Sequence, residues 1–570
     1  MRLIGRLAAG LLVLGLAACT FPGAFVTSMV VRLTPPLTAS SPGPPGALPW
    51  LHVEHPANGQ PYIADDLKRM VLLHGAIPAS LLEFGNSAKS PPSSSPANPI
   101  DPRAYLGQCP QAVNTSRYPP LCQADLIQMA AMGFNSLRLP LSWSLLEPKR
   151  GHFNETYINR AVQVVEWARA LGMYVIIDMH QNAYSAYVGS GPGVDLTYHS
   201  GAPGWATLTD GLPSRVLVEG KREVNPTVFE AFSNFWYNRD GIQSEYIAAI
   251  AYLAKRFKDD SAVVGYSVFN EPQPGWSIPP GFEDLLLFPF YRRVIDAVVG
   301  VHDGVPCPTG IFMPVLCGYP DLGVHDQRHL FFLETGLPRE ITDFPTHLGL
   351  PTSSYLNLVL SMHAYTHIYT FDALAGQKPD RATYPWGGYD QSYALAEREA
   401  KAINAALFVA EFGNDPKYDS LILTSELLEQ EKHRVGFAFW TWKENGGSGS
   451  WGMFDAPGSD ASPMASSGCL RAARERLLAR VYPQASSDPD LSYHYDPSTG
   501  GFSLTAHGRA GDAPTILFIP AEVRGSVAVS GGEPTTQTGP GGSRLVTVSP
   551  SGGGFSITVA PAPLVLAGCG

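Results

Sequence analysis

From about residue 50 onward the chain repeats one hydrophobic rhythm. A short run of β-branched or apolar residues gives way to a longer stretch whose apolar positions fall three and four apart. Eight short runs can be counted: Arg69–Gly75, Ser136–Pro140, Tyr174–His180, Val263–Asn270, His329–Glu334, Leu356–His363, Leu407–Glu411 and Val435–Trp442. The stretches between them predict helices, for example over Tyr157–Leu171, with Ile158, Val162, Val165 and Trp167, and over Tyr246–Phe257 before the fourth run. Eight strand–helix units predict an α/β chain folded as a (β/α)8 TIM barrel over residues 50–483, the strands being buried on both faces.

Two connections break the rhythm by their length, Phe84–Pro120 and Asn182–Gln243. In a barrel such loops build the rim of the active-site cleft. Beyond Pro483 the pattern changes to strands parted by glycines, at Gly501–Ala506, Thr515–Pro520, Ser526–Ser530, Arg544–Ser549 and Phe555–Ala560. Residues 484–570 are therefore expected to form a small antiparallel β-sandwich. That stretch has no evident row of exposed tryptophans, so packing against the barrel is favoured over a carbohydrate-binding role.

The amino terminus has a different plan. Arg2 and Arg6 precede the apolar run Leu7 to Leu16, and Leu16-Ala17-Ala18-Cys19 follows. This is the layout of an export signal, too short for a membrane span, and Leu-Ala-Ala-Cys resembles a bacterial lipobox. The resemblance implies lipidation at Cys19 after removal of the signal. Residues 20–49, rich in Pro, Ser and Gly from Thr34, then read as a tether. The expectation is an exported, membrane-anchored lipoprotein; the alternative is a secretory signal that leaves no anchor. Of seven cysteines, six remain after Cys19, an even set for an oxidising compartment. Cys109 with Cys122, Cys307 with Cys317 and Cys469 with Cys569 are convenient couples among fifteen possible pairings.

Charge narrows the function. A net charge of −11 and a pI near 5.8 supply no basic field for nucleic acid, and a neutral substrate fits. Aromatic residues make up 11% of the chain, enough both for a large core and for stacking on sugar faces. No CxxC or His-Cys cluster argues for zinc. His363 and His367 have metal-like spacing but bracket a strand end rather than lying on a helix, so no metal and no cofactor is expected.

The chemistry lies at strand ends. Glu271 closes the run Val263 to Asn270, and Glu411 closes Leu407 to Ala410, so both carboxyl groups belong at the mouth of the barrel, where burial tunes their pKa values. Cleaving an acetal with retention needs such a pair about 5–5.5 Å apart. Asn270-Glu271-Pro272 after the fourth strand and Glu411-Phe412-Gly413 after the seventh resemble glycoside hydrolase family 5, a clan of retaining barrels. The resemblance implies that Glu271 is the acid/base and Glu411 the nucleophile. It further implies that Arg138 holds Glu411, His180 lines the subsite of the cleaved sugar, Asn270 bonds the sugar 2-hydroxyl, His363 and Tyr365 flank the nucleophile, and Trp442 is the floor on which the sugar stacks.

Within that family, Gly133-Phe-Asn-Ser-Leu-Arg-Leu-Pro-Leu-Ser-Trp143, Asp178-Met-His-Gln181 and Asn270-Glu-Pro-Gln-Pro-Gly275 resemble the endoglycoceramidase branch, whose members cut between a sugar and a lipid. Asn182 stands where that branch is expected to have Asp, and Leu72-Leu-His-Gly-Ala-Ile-Pro78 also departs from it. A glycolipid-cleaving β-glycosidase is the leading expectation. A β-glucanase or mannanase, an exo-β-glucosidase and a non-catalytic surface protein binding glycan or lipid are the alternatives.

Overall fold

The computed structural model describes residues 48–82, 118–119, 121–188, 200–215, 217, 223–276, 281–300, 321–343, 345–346, 355–365, 388–444, 450–455 and 470–568. Cys19, His367 and five of the six candidate disulfide cysteines, all but Cys122, lie outside them, as does most of the Phe84–Pro120 connection. Among the described residues no helix is long and apolar enough to cross a membrane.

In chain order the strands are β1 (Leu51–Glu54), β2 (Tyr62–Asp65), β3 (Met70–Val71), β4 (His74–Ala76), β5 (Ser136–Ser142), β6 (Tyr174–His180), β7 (Val263–Ser267), β8 (Leu330–Glu334), β9 (Leu358–His363), β10 (Ala406–Phe412) and β11 (Gly436–Phe439). They continue as β12 (Tyr482–Ser486), β13 (Ser492–Asp496), β14 (Gly501–Gly508), β15 (Thr515–Ile519), β16 (Val527–Ser530), β17 (Gly532–Thr538), β18 (Arg544–Pro550) and β19 (Gly553–Val559). Strands β4 to β11 close into an eight-stranded parallel barrel, β11 pairing back onto β4. This is the (β/α)8 fold the sequence predicts.

Alternation along each strand separates two cores. Ile176 of β6, Phe332 of β8, Val359 of β9, and Phe408 and Ala410 of β10 fill the lumen. Val175, Ile177, Leu333, Leu360 and Val409 face the surrounding helices. The expected helices are present as Glu155–Ala170 and Ile242–Phe257; Asn154 caps the first by accepting a hydrogen bond from the Tyr157 N–H.

The predicted first barrel strand, Arg69–Gly75, is divided. Only His74–Ala76 joins the barrel, while Met70–Val71 pairs with β12. A buried Arg69–Asp65 ion pair closes the turn between β2 and β3, and the Leu72 N–H bonds to the Gln484 carbonyl. The amino-terminal hairpin thereby enters the carboxy-terminal sheet, which runs β1-β2-β3-β12-β15-β18-β17. A second sheet, β13-β14-β19-β16, faces it across Tyr493, Phe502, Leu504, Leu517, Val546 and Ile557. The predicted domain boundary at 483/484 falls inside β12.

This β-structure packs on the barrel. The Tyr482 ring stacks on His74 at 3.7 Å between centroids, and its hydroxyl donates to the Gly133 carbonyl at 2.7 Å. Gly133 has φ +98°, and a Cβ there would lie 2.5 Å from the Phe518 ring, so the contact requires glycine.

Candidate active site

The carboxyl ends of the barrel strands bring a set of polar side chains to one layer. On β5, β6, β8 and β9 the lumen-facing positions carry Arg138, Asp178 with His180, Glu334 and His363. On β10 simple alternation would fail: Phe408 and Ala410 already face the lumen, which assigns Glu411 to the outside. The pairing of β10 with both neighbours shifts register after Val409, and this bulge turns Glu411 inward. Just beyond, a Cβ on Gly413 would sit 2.0 Å from the Trp440 carbonyl oxygen, so the chain after the bulge packs backbone against backbone.

Arg138, fully buried, organises the layer. Its Nη1 donates to Glu411 Oε2 at 2.8 Å, and its Nη2 donates to Asp178 (3.0 Å), Asn270 (2.7 Å) and Glu334 (2.8 Å). The other oxygen of Glu411 accepts from the Tyr365 hydroxyl at 2.8 Å. Both oxygens of the nucleophile candidate are thus held, one by Arg138 and one by Tyr365.

Glu271 follows β7 with a left-handed backbone, φ +44°. A non-glycine residue there carries a conformational cost of about 1–3 kcal/mol that surrounding contacts must hold. The Glu271 N–H donates to Glu334 Oε2 at 2.7 Å, and the Glu271 carbonyl accepts from Gln181 Nε2 at 2.9 Å. The Glu271 side chain meets His363 Nδ1 at 3.0 Å, and His363 Nε2 lies 3.3 Å from Glu334 Oε1. Oxygens of Glu271 and Glu411 approach within 4.8 Å of each other.

Burial opposes the Arg138 charge, but Asp178, Glu334 and Glu411 outweigh it and raise its pKa. Burial likewise opposes a charged His363, and Glu334, Glu411 and Glu271 outweigh it, holding the imidazole well above its ordinary value. Burial raises Glu411, His363 and Arg138 pull it back, and Glu271 raises it again. Asp178 lies below the ordinary range because Arg138 and its bond to His180 overcome burial.

The structure brings Glu271, Glu411, Arg138, His180, Asn270, His363 and Tyr365 together. Asn270 has its Oδ1 engaged by Arg138 and one Nδ2 hydrogen by the Gln181 carbonyl, which leaves one N–H for a ligand. Trp442 is a correction. Its side chain is 0% exposed, its indole N–H donates to Asp125, and its ring meets Phe134 and Phe454 edge-on, so it is core rather than floor. Trp440, two residues earlier, lies with the lumen residues, its ring parallel to the His180 ring at 5.6 Å and 9°.

Sequence reasoning also missed Glu334 and Gln181. Glu334 ends the fifth predicted strand as Glu411 ends the seventh, and a buried carboxylate at that position was the available signal. Gln181 stands in the Asp178-Met-His-Gln181 motif, but the motif alone assigned it no role.

Glu271, His363 and Glu411 form the one grouping among the described residues able to hold a metal ion. Their atoms are already engaged by one another, by Arg138 and by Tyr365.

A (β/α)8 barrel with two carboxylates facing each other at its mouth is built for acetal cleavage. Residues 110–298 match the model of the cellulase family, glycosyl hydrolase family 5. Endoglycoceramidase I of Rhodococcus hoagii (strain 103S) is 24% identical over 449 residues, covering 76% of this chain and 79% of that protein. The crystal structure of an endogalactoceramidase superposes with a TM-score of 0.62 at 25% identity, covering 90% of this chain and all of that one. Endo-glycoceramidase II from Rhodococcus sp., at 23% identity and the same TM-score, shares the fold over 88% of this chain and 99% of its own.

The chain is therefore an O-glycosyl hydrolase. Over residues 110–298 it is similar to family 5, and over most of its length it is similar to endoglycoceramidases.

Proposed function

We propose that this enzyme hydrolyses the β-glycosidic bond of glycolipids with retention, through a covalent glycosyl-enzyme formed by double displacement. The observation that carries this reading is the approach of Glu271 to Glu411 within 4.8 Å. An inverting pair needs about 6.5–9.5 Å to admit a water between them. In the first step a Glu411 oxygen attacks the anomeric carbon, the bond from that carbon to the aglycone oxygen breaks, and Glu271 gives its proton to the departing oxygen. In the second step Glu271 takes a proton from water, whose oxygen displaces Glu411. Arg138 and Tyr365 orient Glu411 for both attacks, and Asn270 offers its free N–H to the sugar. The relatives named above support a lipid aglycone.

Incubation with glucosylceramide, a longer glycosphingolipid, an aryl β-glucoside and a β-glucan, read by product mass, tests the substrate. Intact oligosaccharide plus ceramide is expected; glucose from the short substrates alone would replace this reading by an exo-β-glucosidase.

The same proposal includes export and lipid anchoring at Cys19. Anchoring predicts that Cys19→Ala releases the protein from membranes, and an unchanged membrane fraction would remove it.

A further inference from the structure

The main chain of Glu271 is held from both sides by side chains of the neighbouring strands. β7 lies between β6 and β8 in the barrel. From the β6 side, Gln181 Nε2 donates to the carbonyls of Asn270 (2.6 Å) and Glu271 (2.9 Å). Its Oε1 accepts from the Tyr184 N–H at 2.6 Å, so acceptors on one side and a donor on the other fix the amide's orientation. From the β8 side, Glu334 Oε2 accepts the Glu271 N–H. Glu334 also reaches the Glu271 carboxyl through His363, which lies between the two. Both Gln181 and Glu334 are buried, and neither carboxyl oxygen of Glu334 is free.

The left-handed backbone of Glu271 makes these contacts consequential. In a strand-like conformation its side chain would leave the layer that contains Glu411, so the aim of the carboxyl depends on what keeps φ positive. Asn270 N–H to Met179 carbonyl and Asn270 Nδ2 to Gln181 carbonyl anchor the residue before it, but among the described residues only Gln181 and Glu334 bind the Glu271 amide groups themselves.

We infer that Gln181 and Glu334 are positioning residues for acid catalysis: they clamp the Glu271 backbone so that its proton meets the leaving oxygen, and so govern which aglycones can depart. The inference rests on Glu271 being the acid/base. It distinguishes two kinds of leaving group. A lipid alkoxide cannot depart without the proton, whereas a dinitrophenolate can, and kcat/KM reports the step in which the aglycone leaves.

The test compares an alkyl and a dinitrophenyl β-glycoside of the same sugar. Glu271→Ala comes first, with azide added. Formation of the β-glycosyl azide from the dinitrophenyl substrate verifies the acid/base role, and its absence would remove that role and the inference with it. With the role verified, Gln181→Met, which keeps side-chain length but neither donates nor accepts, should lower kcat/KM for the alkyl glycoside about 10- to 100-fold. The dinitrophenyl value should change by less than about 3-fold. Turnover of the activated substrate also shows that the variant is folded. Equal losses on both substrates, or no loss on either, would overturn the inference. Should Gln181→Met not accumulate as folded protein, Glu334→Gln is read by the same ratio and the same two outcomes.

Discussion

Replacing Trp442 by Phe separates the structure from the expectation drawn from family resemblance. Trp442 is wholly enclosed, and its indole N–H is 3.1 Å from Asp125 Oδ1. Substitution removes that hydrogen bond and part of a ring packed against Phe134 and Phe454. Hydrogen bonds to charged groups contribute about 1.5–3 kcal/mol, and the low end applies because Asp125 keeps Lys443 and the Cys122 N–H. The lost ring atoms cost about 1–2 kcal/mol more at roughly 0.8 kcal/mol per buried carbon. A loss of about 3 kcal/mol should move the urea midpoint down by about 1 M at an m-value near 3 kcal/mol/M. KM should stay within about 2-fold, because Trp442 lies outside the layer that meets substrate. Trp440→Ala should do the reverse, raising KM about 10-fold through loss of the stacking face beside His180. If Trp442→Phe raises KM with an unchanged midpoint while Trp440→Ala leaves KM alone, the placement of the two rings is wrong.

Three further outcomes follow from the same packing. Tyr365→Phe deletes a donor to Glu411, and a charged hydrogen bond of about 1.5–3 kcal/mol predicts a fall in kcat/KM of about 10- to 100-fold with the melting temperature nearly unchanged. Burial pushes Glu426 up to about 8 from 4.5, although Tyr393 donates to it. The native state then holds a proton the unfolded chain releases, so this group's contribution is fully present below pH 4.5 and is lost as pH rises through 8. Relative to Glu426→Gln, the wild type should lose stability by up to about 1.4 kcal/mol per pH unit across that window, and a constant difference between the two urea midpoints would contradict this. Gly133→Ala should destabilise by about 1–3 kcal/mol through its φ of +98° and the Phe518 ring, with activity per folded molecule unchanged. A melting temperature equal to wild type would deny the packing between barrel and sandwich at that point.

Much of this was legible in the chain because barrel strands advertise themselves by apolar runs and, in five of the eight predicted runs, by the polar residue that ends the run. Tyr174–His180 was read to the residue, and Glu271 and Glu411 stand out as carboxylates after apolar strands. What stayed hidden depended on partners distant in sequence. β3 pairs with β12, more than 400 residues on, so Arg69–Gly75 looks locally like one strand. The inward turn of Glu411 needs a bulge that alternation does not announce. In Phe439-Trp-Thr-Trp442 the strand ends at Phe439, so its period no longer says which indole faces the lumen. Glu334 was visible as a strand end, but a lone carboxylate there reads equally well as a terminator.

The central claim is that Glu411 attacks the sugar while Glu271 serves the departing oxygen. The most direct measurement is the intact and peptide mass of enzyme treated with a 2-deoxy-2-fluoro-β-glycosyl fluoride, which slows the second displacement and traps the first. The account predicts one glycosyl adduct, on Glu411, and none in Glu411→Gln. Hydrolysis of true substrates with inversion and no adduct on Glu411 would contradict it.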